Sequence, residues 1–221
     1  MEAIQETSQN KLLGKSFFFM FLGLLGSAIL AWFTYSSGLY INFITDGTFV
    51  FLAIAEVVVV LLFNFLFKKL PAFVVGILFF AYSMLNGITL SVIFYVFELS
   101  SIIYLFVISG LIFGVLGFIG YKTKMDLSKF GVYLTVFLIA GLILTFINIF
   151  IIHSSALNLF IDWLILIIFF GITIYDLNKI KLLEEDPNLN NDKLHIYCAM
   201  QLYLDFINIF IRILSIFGKR K

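Results

Sequence analysis

Seven stretches of this chain are each long and apolar enough to cross a bilayer: about 16–36, 48–67, 72–97, 102–121, 130–152, 159–182 and 195–217. A helix needs roughly 20 apolar residues to span ~30 Å of hydrocarbon. Backbone groups cannot stay unpaired in lipid, and the runs lack the alternation of barrel strands, so each predicts a helix. Composition agrees: 62% of residues are hydrophobic and 12% charged, against about 25% charged in a soluble domain. The expected fold is an all-α membrane protein, a bundle of seven transmembrane helices. One domain covers 16–218, between a polar tail (1–15) and a short basic tail (219–221).

Several functions drop out at once. A net charge of +1 provides no basic field for nucleic acid. A single cysteine, Cys198, excludes an internal disulfide and reads as a small core residue. Neither CxxC nor HExxH occurs, and no cofactor is expected. The first apolar run exceeds the ~7–15-residue core of a cleaved signal peptide, so it reads as an uncleaved span. With 29 Phe and 2 Pro, the composition suggests an AT-rich coding genome. The expected location is therefore a bacterial cytoplasmic membrane.

Lysine placement predicts the orientation. Lys11 and Lys15 precede the first span; Lys68 and Lys69, then Lys122, Lys124 and Lys129, then Lys179, Lys181 and Lys193 mark alternate links. The opposite links carry only Asp46, Glu98, His153 and polar residues, so the N-terminus is expected in the cytoplasm. Seven spans leave Lys219, Arg220 and Lys221 outside, against the rule. Either the tail is tolerated or the last helix stops short; crossing is favoured. Trp32, Tyr35, Tyr40, Trp163 and Tyr121 fall near span ends, as interfacial aromatics do. Gly110, Gly114 and Gly117 share a face and predict close helix packing. Asn86, Gly87, Thr89 and Ser91 read as interhelical contacts first and pathway lining second.

Four ionisable residues lie inside spans: Glu56, Asp176, Asp205 and Arg212. Each Asp or Arg costs at least ~2.5–3.5 kcal/mol at mid-bilayer, so such groups face the interior and find partners. In the last span Gln201, Asp205, Asn208 and Arg212 form one polar stripe, with Tyr203, Leu204, Phe206, Ile207 and Phe210 around it. Stripe inward and bulk outward predicts a central, buried seventh helix. Gln201, Asn208 and Asn86 are the candidate pathway-lining residues.

Asp176 lies about seven residues before the sixth link and Asp205 about eleven beyond it, an axial offset of ~6 Å. Two carboxylates held together away from water cannot both ionise cheaply, so they are expected to share a proton. Deprotonated, they would offer hard oxygen ligands for Ca²⁺. A pH-sensitive, cation-responsive gate follows. The plainer alternative is that each Asp bonds locally, with Lys68 or Lys69 nearby, and merely fixes packing. Glu56 and Arg212 both fall in the outer halves of their helices, where an ion pair is feasible; it would latch that half or simply neutralise two charges. Asp162, His153 and His195, at span ends or in links, read as solvated.

The segments "TIYDLNKI", "QLYLDFINIF" and "AYSMLNGITLS" together resemble the Bax inhibitor-1 family of transmembrane proteins, LYLDFINIF being the most specific match. The resemblance covers the whole chain. It implies a seventh helix surrounded by six, and calcium leak governed by pH through a di-aspartyl pair that maps to Asp176 and Asp205. It also implies an acid in helix two, matching Glu56. The chain departs from the pattern in three places. The position ten residues after the helix-seven aspartate, often arginine, is Ser215, with Arg212 one turn earlier. The basic partner of the aspartates maps only loosely to Lys68. The sixth link carries the acidic insert "EEDPNLNNDK".

An intramembrane aspartyl protease also sets two aspartates on adjacent helices, but its Gly-x-Gly-Asp setting is absent here, so no enzyme is expected. The expected partners are the lipid bilayer, Ca²⁺ and protons. The serious rival is a non-conducting regulator that binds other membrane proteins in stress or cell-death control.

Overall fold

A computed structural model describes residues 2–45, 48–185 and 193–221. Asp46 and residues 186–192 of the acidic insert lie outside the described residues. Helices α1 (Glu2–Ser36), α2 (Tyr40–Thr45), α3 (Thr48–Leu66), α4 (Ala72–Leu90), α5 (Ile93–Val96), α6 (Leu99–Lys122), α7 (Ser128–Ile147), α8 (Ser155–Glu185) and α9 (Leu194–Phe217) follow in order, with a π-helical turn at Asn148–Ile152 after α7.

Among the described residues, six segments are long and apolar enough to cross a membrane: Leu12–Ser36, Ala72–Val96, Leu99–Lys122, Ser128–Ile152, Ser155–Glu185 and Leu194–Phe217. They match six of the expected runs. The run at 48–67 is helical as α3, but its apolar part, Phe51–Leu66, is shorter than the others. Helix also extends back through the polar tail, since α1 starts at Glu2. The third run breaks near Ser91. Thr89 Oγ1 donates to the Asn86 carbonyl at 2.9 Å and Ser91 Oγ to the Ile88 carbonyl at 2.6 Å, and hydroxyls bonding back onto the preceding turn bend a helix.

The chain divides into two compact units. The first comprises Met1–Leu99, Asn188–Tyr203 and Arg220–Lys221. Within it α1 packs on α4, and α4 on α3. The approach of α1 to α4 is close enough that a Cβ at Gly87 would lie 2.6 Å from the Ser27 carbonyl oxygen. Its core includes Phe63, Val75, Phe79, Met200, Leu202 and Tyr203. The basic tail is tied down here: Lys221 N donates to the Val96 carbonyl at 3.0 Å, and its Nζ to the Phe94 carbonyl at 2.7 Å and the Tyr35 hydroxyl at 3.2 Å. Trp32, Tyr35 and Tyr40 gather at this end with Phe94 and Tyr95.

The second unit comprises Ser100–Pro187 and Leu204–Lys219. Here α7 packs on α8, with Ile161, Ile165, Leu177, Ile209 and Leu214 in the core. Much of α7 is apolar and exposed, including Val132, Val136, Ile139 and Ile143, as a lipid-facing helix should be. Of the three glycines expected to pack tightly, Gly110 and Gly117 make ordinary contacts and Gly114 meets nothing within 4 Å. The tight approach is one turn further on, where a Cβ at Gly120 would lie 2.3 Å from the Ile174 carbonyl oxygen.

The expected facing of α9 is corrected. Tyr203, Phe206, Ile207 and Phe210 are buried, whereas Gln201, Asn208 and Arg212 are half-exposed; only Asp205 of the polar stripe is fully enclosed. Bulky apolar side chains gain most from close packing. They take the packed sides of the helix and leave the polar stripe on its looser side.

Candidate functional site

In the second unit, α8 carries Asp176 and α9 carries Asp205. Asp205 is 2% exposed and Asp176 7%, and the charge of Asp176 bears on Asp205. Among the described residues, Asp205 Oδ2 is buried with no hydrogen-bond partner, an expensive condition for a carboxylate oxygen. The cation that bears on Asp176 is Lys179, one turn along the same helix. No group of three or more His, Cys, Asp or Glu side chains gathers among the described residues.

Asn178, two residues beyond Asp176, holds the adjoining turn. Its Nδ2 donates to the carbonyls of Thr123 (3.2 Å) and Gly120 (3.5 Å), and its Oδ1 accepts from Leu127 N–H (3.3 Å). One side chain thereby satisfies backbone groups at the end of α6 and the start of α7. Sequence reasoning passed over Asn178, although an amide inside "YDLNKI" signals such a role.

Arg212 finds its acid elsewhere than expected. It pairs with Asp162 on α8, and Ser215 Oγ donates to the other carboxylate oxygen of Asp162 at 2.6 Å. Asp162 is therefore buried and engaged rather than solvated. Arg212 Nε has no partner among the described residues.

Glu56, in the first unit, accepts from Thr89 Oγ1 and, at 3.1 Å, from Asn86 Nδ2. Asn86 Oδ1 accepts from the Tyr203 hydroxyl at 2.9 Å, and Tyr203 Oη lies 2.6 Å from Ser27 Oγ. Of the candidate pathway residues, Asn86 is buried in this network. Gln201 donates to Asn64 Oδ1 at 3.1 Å, and Asn208 donates back to the Leu204 carbonyl at 2.8 Å. Tyr203 was expected among the outward-facing bulk. It is fully buried, and the signal for its role is that a tyrosine inside an apolar run must satisfy its hydroxyl.

The family pattern described as "Inhibitor of apoptosis-promoting Bax1" matches residues 9–221. The chain belongs to the Bax inhibitor-1 family. Among similar proteins is the inner membrane protein YbhL of Escherichia coli K12, 38% identical over 208 residues, covering 91% of this chain and 88% of that one. A protein of Borreliella burgdorferi is 34% identical over 219 residues, 96% and 94% of the two chains. A membrane protein of Streptococcus pyogenes serotype M6 is 35% identical over 143 residues, 64% and 62%. This Bax inhibitor-1 chain is an integral, multi-pass membrane protein.

Proposed function

We propose that this protein is a pH-sensitive calcium leak pathway in which Asp176 and Asp205 share a proton and form the gate. The observation that carries the reading is the buried Asp205, with Oδ2 unpartnered among the described residues and Asp176 within electrostatic range. With one proton held between them the two carboxyls tolerate each other. When it leaves, two like charges in a poorly hydrated place repel, and α8 and α9 are driven apart. The same oxygens then suit Ca²⁺, which takes about 6–8 oxygen ligands and would draw the rest from water and backbone carbonyls. In this reading α3 is a seventh span, α9 lies at the centre of the bundle, and the N-terminus is in the cytoplasm of a bacterium. Gln201 and Asn208, on the looser side of α9, line the path. No covalent chemistry is assigned.

Calcium entry into dye-loaded proteoliposomes, followed between about pH 6 and 8, tests this. Wild-type flux should vary with pH, and Asp176→Asn and Asp205→Asn should alter that profile. Equal flux in all three and in empty vesicles removes the channel reading. A second reading, a non-conducting regulator of other membrane proteins, is favoured by the family description itself, which names an inhibitor.

A further inference from the structure

The geometry points to a second proton-binding site, independent of the two aspartates: Glu56, joined through Asn86 and Tyr203 to Ser27 in a hydrogen-bonded chain whose direction reverses when a proton binds. The chain links α3, α4, α9 and α1 within the first unit. It runs from Glu56 to Asn86 (3.1 Å), to Tyr203 (2.9 Å), to Ser27 (2.6 Å), and ends on the Ser83 carbonyl, 2.6 Å from Ser27 Oγ.

Proton counting gives the chain two forms. With Glu56 ionised, Asn86 Nδ2 donates to it and Tyr203 donates to Asn86 Oδ1. Ser27 then has one hydrogen for three oxygens, Tyr203 Oη and the Ser83 carbonyl at 2.6 Å and the Gly23 carbonyl at 2.9 Å, and at least one of the two short contacts has no proton in it. With one proton added to Glu56, every link is filled in the opposite sense. Glu56 donates to the Asn86 carbonyl oxygen, Asn86 N–H to Tyr203, Tyr203 to Ser27, and Ser27 to the Ser83 carbonyl. The change requires only a half-turn of the Asn86 carboxamide and rotation of two hydroxyls, with the heavy atoms in place. Thr89 serves either form, because Glu56 Oε1 accepts its hydroxyl hydrogen both as a carboxylate oxygen and as the carbonyl oxygen of the protonated carboxyl. Among the described residues, the charge of Glu56 bears on Tyr82 of α4 and Tyr203 of α9. Glu56 forms no ion pair among the described residues. A proton taken up on α3 is thereby registered at Tyr203, in the middle of α9.

Infrared titration of the full chain in lipid nanodiscs, in an Asp176→Asn/Asp205→Asn background, reads this out. A protonated-carboxyl band should titrate and be lost in Glu56→Gln. A tyrosine C–O band should move with the same midpoint and stop responding in Glu56→Gln. Ser27→Ala, which removes the last hydroxyl, should cut the tyrosine response by at least about half, since Tyr203 then lacks an acceptor in the reversed form. A tyrosine band that ignores pH while the carboxyl titrates overturns the proposal. So does a tyrosine response that survives Glu56→Gln, or is unchanged by Ser27→Ala.

Discussion

Arg212 of α9 and Asp162 of α8 form an ion pair in which Ser215 occupies the second carboxylate oxygen. The side chains are only 21% and 12% exposed. Removing one partner therefore strands a poorly hydrated charge. Asp162→Asn should lower stability by about 1–3 kcal/mol, somewhat below the range for a fully buried pair. Replacing both residues by leucine should recover much of that loss. Denaturant unfolding in detergent, arranged as a double-mutant cycle, measures the coupling.

Glycine positions that look alike in sequence should behave differently. Gly120→Ala and Gly87→Ala press a methyl group onto neighbouring backbone and should each cost about 1–3 kcal/mol. Gly114→Ala meets open space and should be neutral or slightly stabilising, by up to about 1 kcal/mol from helix propensity. Thermal unfolding midpoints of the three variants check the order.

Asp205 carries a stability cost that its proposed task explains. Asp205→Asn removes the charge from a side chain whose Oδ2 has no partner among the described residues and should raise stability at neutral pH by about 1 kcal/mol or more. The same substitution should alter calcium flux. A variant both less stable and unchanged in flux would make Asp205 a packing residue.

Asp126, in the link before α7, makes a separate pH prediction. The Ser128 hydroxyl at 2.5 Å and backbone N–H at 2.8 Å both donate to Oδ1, and these bonds hold its carboxyl below the usual value of 3.8. A depressed native value stabilises the fold above the unfolded value, and the contribution fades as pH falls through the native one. Asp126→Ala should therefore lower the unfolding midpoint at pH 7. The difference from wild type should close at pH values below about 3.8.

Hydropathy made the long helices legible because a bilayer accepts so few alternatives. Six spans and the burial of Asp176 and Asp205 follow from that constraint. Partner choice did not. Depth alone made an Arg212–Glu56 pair feasible, but depth leaves the rotation of each helix open, and Asp162 is on the side that Arg212 faces. The stripe on α9 misled for a related reason. Polar periodicity marks a face without saying whether that face or the bulky one packs more tightly. Tyr203 and Asn178 went unread because their roles depend on hydroxyl, amide and carbonyl groups distant in sequence.

At the bend between α7 and α8, Asn148 is buried; its Nδ2 donates to the Ser154 carbonyl and to Asn158 Oδ1, and its Oδ1 accepts from Ser154 N–H. His153 beside it adopts φ 56°. The one buried Asn148 side chain thereby satisfies both backbone groups of Ser154 within the hairpin itself. The two long apolar segments on either side are thus joined by a turn that meets part of its own backbone demand, as a link at a membrane boundary must where water is scarce.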